Sequence, residues 1–305
     1  MSRREVRLGL ALGLASWAAL LSAQDVPSEP AAIVVTAKRA EQADVAAEQG
    51  KSITLKPSAD APLARHYAPI CIKIFGIDPQ FGEVIAEQVY RNVRTLKLQA
   101  GQSGCAPNVW IGFVSDSKHQ VESLRKQEPA IFAEMKSFEI DRVFGGSGGA
   151  QVWHATESRS LDGRPIPVME FQTDTRKIVV KANQQYQGGR LVSPTRTDIN
   201  GTIVIFDSAR ANGKTVQQLA DYATFRILAP VQDYAEVPER ALPTILTLFT
   251  PGADPPGGLT EFDWAYLSAY YKLDRGAKAS AVHDATKQAV LNGSGQTLSE
   301  KAARD

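Results

Sequence analysis

The sequence predicts a single α+β domain, in which helices pack on a twisted mixed sheet. Two observations lead to this fold class. Runs of β-branched residues typical of buried strands alternate with amphipathic stretches that have the period of a helix. When a predicted leader, linker and tail are set aside, about 200 residues remain, enough for one domain with a full core.

Two capped helices near the C-terminal end are the clearest elements. Thr215 and Gln218 have the spacing of a capping box, in which each side chain bonds the backbone N–H of the other residue. A helix is therefore expected from there to Pro230, where the ring ends it. Thr260 and Asp263 repeat the same spacing at the start of a second helix. A short apolar turn (LPTILTLF) separates the two.

The remaining elements follow from shorter signals. Asp78-Pro79 is a helix cap followed by proline at the first helical position. The turn dipeptide Asp162-Gly163 predicts a hairpin between QVWHATES and PVMEFQTD, and GGRLVSPTRTDIN is interpreted as a loop. The other predicted elements are strand 70–77, helix 79–95, strand 108–116, helices 117–126 and 129–138, strand 177–182 and strand 202–206.

A strand (TIVIFD), a capped helix (KTVQQLADYATFRILA), an apolar turn and a final helix (LTEFDWAYLSAYYK) occur in that order. This order resembles the active-site region of matrixin-type metzincin zinc peptidases. The resemblance covers roughly residues 68–272 and implies a metzincin-like sheet and helix arrangement. The pattern is also similar to uncharacterised secreted alphaproteobacterial proteins with a degenerate peptidase domain.

The resembled family carries HExxH on the first helix and a methionine in the turn. Neither register of that motif places a histidine on this helix. The positions concerned are Ala220, Asp221 and Thr224 in one register, and Asp221, Tyr222 and Phe225 in the other. Zinc on a helix needs two imidazoles or thiolates one turn apart and a third ligand nearby. The sequence therefore assigns no metal, no cofactor and no catalytic residue, and it leaves open whether the protein is an enzyme.

Asp221, Tyr222 and Arg226 are the candidate binding residues, because the resemblance places their helix along the cleft. The other interpretation is that Asp221 and Arg226 are solvated helix charges and that Tyr222 belongs to the core or its rim. The expected function is that of an exported, non-catalytic, peptidase-like domain that binds an extended peptide or envelope protein by strand addition.

The alternative is an envelope hydrolase or peptidase whose site is assembled from distant residues. The histidines available for such a site are His66, His119, His154 and His283, with no local ligand spacing among them. Lys and Arg (34) nearly balance Asp and Glu (33), so no nucleic-acid partner is expected.

Residues 1–23 have the pattern of a secretory signal peptide. Arg3, Arg4 and Arg7 precede an apolar run that ends at small residues suited to cleavage. A membrane anchor is the alternative, but the run is shorter than the ~20 residues that a span needs. A periplasmic or secreted mature chain in a Gram-negative envelope, with no membrane span, is therefore expected.

The segments that flank the predicted globular domain (61–275) are polar and rich in small residues. Residues 24–60 are predicted to be a flexible linker and residues 276–305 a polar tail. Within the linker, residues 31–42 (AAIVVTAKRAEQ) resemble a TonB box, which as an extended peptide adds a strand to a TonB-type protein. A β-prone patch in a disordered segment is the alternative.

Cys71 and Cys105 are 34 positions apart in a chain that carries an export signal. An oxidising compartment favours a disulfide between them. Two free thiols are the alternative.

Overall fold

The longest strand of the central sheet comes from the segment around TIVIFD. The structure, a computed structural model, describes residues 29–55, 62–127, 148–172, 176–181 and 192–304. Its strands are β1 (Ala64–Arg65), β2 (Ile72–Phe75), β3 (Val109–Val114), β4 (Ala150–Ser160), β5 (Val168–Gln172), β6 (Lys177–Lys181) and β7 (Thr195–Asp207).

Eight α-helices lie within the described residues, together with a 3₁₀ turn at Ile245–Thr247. They are α1 (Glu29–Ile53), α2 (Pro79–Thr95), α3 (Ser117–Gln127), α4 (Ser208–Ala211), α5 (Val216–Leu228), α6 (Glu261–Lys272), α7 (Ala281–Leu291) and α8 (Ser294–Ala302). Helix α2 packs on α5, and α6 packs on α7 and α8.

Strand β7 organises the sheet. It pairs in parallel with β3 and with the short β1, and β3 pairs in parallel with β2. Along its opposite edge β7 pairs antiparallel with β4, from Ala150 opposite Phe206 to Ser160 opposite Thr195. The predicted mixed sheet with packed helices is confirmed, and it forms one compact domain that begins at Lys38.

The local signals for helix starts are confirmed. Thr215 Oγ1 accepts from the Gln218 N–H at 3.1 Å, and Gln218 Oε1 accepts from the Thr215 N–H at 3.0 Å. Thr260 and Asp263 form the equivalent capping box at α6. The predicted helix 129–138 and the leader 1–23 lie outside the described residues.

The predicted hairpin partner is wrong. A turn does form at Asp162-Gly163, where Gly163 has a φ of +93°, but β4 pairs with β7 and β5 pairs with β6. Among the described residues only Arg159 and Pro165 form an antiparallel bridge across the turn, and the long ladder of β4 is with β7, which begins at Thr195 inside the segment predicted as a loop. A turn dipeptide carries no information about pairing between strands that are so far apart in the sequence.

The prediction of a flexible linker across residues 24–60 is wrong for residues 38–53, which belong to α1. Ala43, Ala46, Ala47 and Gly50 are buried at spacings of three and four residues, so they form one helix face made of small side chains. Such a face lets α1 lie close to its neighbours; a side chain at Gly50 would meet Thr286 Oγ1 at 3.3 Å.

The TonB-box-like segment 31–42 also lies within helix α1. Strand addition needs an extended chain, so this segment would have to leave the helix before it could pair with a TonB-type protein.

The prediction of a polar tail is wrong for residues 276–302. Helices α7 and α8 pack on α6, and Val282 is fully buried. Gly295 approaches α6 so closely that a Cβ there would lie 2.0 Å from the Glu261 carbonyl oxygen. Small residues permit this close packing, and their low hydrophobicity is the reason that composition indicated a tail.

The predicted disulfide is confirmed. Cys71 and Cys105 are bonded, with Cα atoms 6.1 Å apart, and connect the start of β2 to the loop after α2. Among the helices of the described residues, none combines the length and apolar character needed to cross a membrane.

Candidate functional site

Asp221 on helix α5 is an internal tie between three segments. Asp221 is buried, with only 2% of its surface exposed. Oδ1 accepts from Gln88 Nε2 at 3.0 Å and from Asn92 Nδ2 at 2.7 Å, both on α2. Oδ2 accepts from Gln217 Nε2 at 2.7 Å and from the Leu259 N–H at 3.0 Å. Four donors occupy the carboxylate, so it has little acceptor capacity left for a substrate.

Tyr222 and Arg226 form a second closed group with Asp233. The Tyr222 hydroxyl donates to the Asp233 carboxylate, whose oxygens lie 2.8 and 2.9 Å away. Arg226 Nη1 donates to the same hydroxyl at 2.7 Å and lies 2.5 Å from Asp233 Oδ1. Burial raises the pKa of Tyr222 well above its ordinary value, which keeps the phenol protonated.

The interpretation of Asp221 and Arg226 as solvated helix charges is therefore wrong, since both are buried and paired. The placement of Tyr222 in the core is correct, because it is fully buried. All three candidate residues lie on one helix, but they divide into two separate networks. None of the three residues lines the cavity described below.

His66 and His154 lie near each other at the C-terminal end of α5. His66 Nε2 is 3.1 Å from Thr202 Oγ1, and His154 Nε2 donates to the Arg226 carbonyl at 2.9 Å. Burial lowers the pKa of His66 to about 4. Burial, reinforced by the neighbouring His66, lowers the pKa of His154 to about 3. Both imidazoles are therefore neutral at neutral pH.

A cavity of about 400 Å³ opens beside His66, where the loop after α2 meets the C-terminal end of α6. We call it the Arg65 cavity. The side chains that give it its character are Arg65, His66, Tyr67, Lys97, Tyr271 and Arg275. Asp274 is the acidic residue of its lining, so cationic side chains predominate.

Arg65 is the most deeply buried charged residue of this cavity and is only 3% exposed. Its Nη1 donates to the Leu273 carbonyl at 2.7 Å. Its Nε and Nη2 are buried and have no hydrogen-bond partner within the described part of the chain, and the same holds for the Tyr67 hydroxyl. Arg196 lies over the Tyr67 ring, 4.0 Å from its centroid. The cavity therefore holds buried donors that the domain itself does not use.

Sequence reasoning missed this cavity. Arg65, His66 and Tyr67 are consecutive, but they match no motif, and Lys97 and Arg275 reach them only through the tertiary fold. The available signal was weak: a charged residue within a short buried strand.

No family model, curated protein or solved structure matches the chain. Within the described residues, no three His, Cys, Asp or Glu side chains converge as metal ligands would. The site must therefore be interpreted from its own geometry.

Proposed function

We propose that the protein is a binding protein that acts without catalysis and takes part of a peptide or envelope protein into the Arg65 cavity. The observation that carries this proposal is the buried guanidinium edge of Arg65, whose Nε and Nη2 have no hydrogen-bond partner among the described residues. Buried polar groups in folded domains are nearly always hydrogen-bonded. Arg65 lines the cavity, and its two donors without partners are covered by neighbouring atoms, so a turn of its side chain would present them to a ligand.

The polar groups of helix α5 support the non-catalytic half of the proposal. A catalytic carboxylate must contact the substrate, whereas Asp221 accepts four internal hydrogen bonds. Arg226 and Tyr222 are engaged with Asp233 in the same way. These contacts hold the domain together and leave the helix without a free acid or base.

The shape of the Arg65 cavity supports the binding half. Ligand pockets of proteins have volumes of roughly 300–1,000 Å³ and combine apolar walls with a few placed polar groups. The cavity of about 400 Å³ has a volume in this range, and its lining is more polar than apolar. Ile70 and Leu98 supply part of its apolar lining, beside the cationic and tyrosine side chains.

A hydrolase assembled from distant residues is the second candidate, and one contact favours it. Thr202 Oγ1 and His66 Nε2 are 3.1 Å apart, the distance of a hydroxyl nucleophile and its base. Thr202 is fully buried, however. A substrate could reach its hydroxyl only if β7 were uncovered, so we rank this function second.

We also propose that the protein is exported to the envelope and that it pairs with a TonB-type protein. The disulfide is compatible with an oxidising compartment.

Peptide binding can be tested with a pool of defined pentapeptides added to the full-length protein. We expect saturable binding, with NMR shifts confined to the cavity lining, and intact peptides by mass spectrometry. Ala68→Trp should block binding, because Ala68 is exposed at the cavity. Ala303→Trp, at the exposed end of α8, is the matched control.

Two results would contradict the proposal. One is binding that survives Ala68→Trp undiminished. The other is peptide cleavage that is lost in His66→Ala, which would establish the hydrolase instead.

A further inference from the structure

We infer that the Arg65 cavity is an anion site, in which the guanidinium of Arg65 receives a carboxylate or phosphate group. This inference rests on the proposed binding function and names the ligand chemistry of the same cavity. It comes from four observations: the burial of Arg65, the absence of an internal counter-ion, the charge of the lining, and a second unused donor.

The burial of Arg65 makes its lack of a partner costly. A guanidinium removed from water loses its hydration and needs charged or polar acceptors in return. Within the described residues Arg65 has one hydrogen-bond acceptor, the Leu273 carbonyl on Nη1, and its guanidinium also lies over the Tyr270 ring, 5.6 Å from the ring centre. The Nε and Nη2 atoms form the edge that matches two oxygens of a carboxylate or phosphate, and they are the two atoms without partners.

No carboxylate of the described residues fills this edge. Asp198 is opposite Arg65 in the β1–β7 register, but its two oxygens accept from Arg196 Nε and Nη2 at 2.8 Å each. Asp274 lines the cavity and forms no ion pair with Arg65. Both nitrogens are covered by neighbouring atoms, so the Arg65 side chain must turn towards the cavity before an anion from outside can supply the missing acceptors.

The rest of the lining favours the same charge. Lys97 and Arg275 add two cations to that of Arg65. The buried Tyr67 hydroxyl is a further donor without a partner in the described part of the chain. Lys97 has a φ of +60° because it is the left-handed residue that ends α2, where its N–H donates to the Arg94 carbonyl and the Leu98 N–H donates to the Val93 carbonyl.

The wall that carries Lys97 is firmly held. The Ile70 N–H donates to the Gln99 carbonyl at 2.9 Å, and the Gly101 N–H donates to the Ile70 carbonyl at 2.7 Å. The disulfide at Cys105 closes the same loop. A site whose charges are fixed before the ligand arrives binds with less ordering cost.

Carboxylate and phosphate share this chemistry, and two probes separate them. Inorganic phosphate tests for a phosphate ligand. A pentapeptide with a free C-terminal carboxylate, compared with its amidated form, tests for a carboxylate ligand. Each is titrated into the full-length protein by calorimetry, while the Arg65 Nε–H resonance is followed by NMR.

Three variants locate the binding. Arg65→Met should weaken binding of the preferred anion about tenfold or more, the loss expected for charge-assisted hydrogen bonds. Lys97→Asn removes a charge while keeping a residue that tolerates positive φ, and it should weaken binding roughly threefold, a modest electrostatic effect. Lys73→Thr, which removes a charge from an exposed position on β2, should leave binding unchanged.

The inference is overturned if neither phosphate nor the free-acid peptide binds. It is equally overturned if the wild-type Arg65 resonance does not shift and Lys97→Asn binds normally, a result that does not depend on Arg65→Met folding. Equal binding of acid and amide peptides, insensitive to Arg65 and Lys97, would retain the binding function and reject the anion site. Phosphate binding at Arg65 without peptide binding would retain the anion site and reject the proposed peptide-binding function.

Discussion

Asp221 and Arg65 are buried to the same degree, at 2% and 3% exposed, yet their surroundings differ. Asp221 accepts four hydrogen bonds from α2, from its own helix and from the segment before α6. Arg65 donates one hydrogen bond to protein, and two of its nitrogens have no partner in the described residues.

The difference separates a structural charge from a ligand-binding one. A buried charge with all its partners inside the domain stabilises the fold that surrounds it. A buried charge that lacks partners reduces stability, and such groups are expected at functional sites. Burial alone therefore does not identify the site, and the partners must be counted.

Asp221→Ala should have the largest effect on stability. It removes a charged acceptor that receives four hydrogen bonds, from Gln88, Asn92, Gln217 and the Leu259 N–H. Hydrogen bonds to a charged group are worth about 1.5–3 kcal/mol each, so we expect a total loss of about 3 kcal/mol or more. Urea denaturation measures the loss. Asp254→Asn, at an exposed position, should change the free energy of unfolding by less than about 0.5 kcal/mol. Equal effects at the two positions would show that the network is not a structural tie.

Replacement of Cys71 and Cys105 by alanine should come next. Closing a loop of 34 positions is worth about 3–4 kcal/mol in the chain-entropy model. The same loop carries Lys97 and Gln99, so anion binding should weaken as well. Unfolding of wild-type protein with and without reductant is the control. A stable double variant with unchanged stability and binding would show that the cavity wall needs no covalent support.

Much of the α5 region could be predicted from the sequence, because its signals are local. The capping boxes at Thr215 and Thr260 involve residues three positions apart, and hydrogen bonds of the backbone decide them. Helix α1 was missed because its buried face is made of alanine and glycine, which composition counts as linker.

The Arg65 cavity could not be predicted in the same way. Arg65 meets the end of α6, and His66 contacts Thr202 in β7. These contacts depend on the parallel pairing of β1 with β7, which no short pattern specifies. The same limitation explains the wrong partner of β4.

Acidification should weaken the fold moderately. The pKa values of His66 and His154 are lowered to about 4 and about 3, so below pH 6.5 the unfolded chain binds protons that the native state does not. Stability is therefore lost as pH falls from 6.5 towards 4, by about 1.4 kcal/mol per unit for each histidine. Burial raises the pKa of Asp263 to about 6. Below pH 6 the native state therefore binds a proton at Asp263 more readily than the unfolded chain does, and this stabilising effect offsets the destabilising effect of one histidine.

Urea denaturation at pH 6.5, 5.5 and 4.5 tests this dependence. His154→Gln keeps a donor for the Arg226 carbonyl and should reduce the slope, whereas His119→Gln, at an exposed position, should not. An unchanged slope in His154→Gln would mean that this imidazole is not held neutral by burial.

The free energy of unfolding of Arg65→Met, measured without any ligand, distinguishes a ligand-binding charge from a structural one. Methionine fills a similar length of cavity wall and removes a buried charge that lacks an internal counter-ion. The variant loses the hydrogen bond to Leu273 and the contact with the Tyr270 ring, but removal of the buried charge offsets this loss. It should therefore lose less than about 1.5 kcal/mol, the lower value for a hydrogen bond to a charged group, or become more stable. A loss of about 3 kcal/mol or more, as expected for Asp221→Ala, would show that Arg65 is a structural charge and not a ligand-binding one.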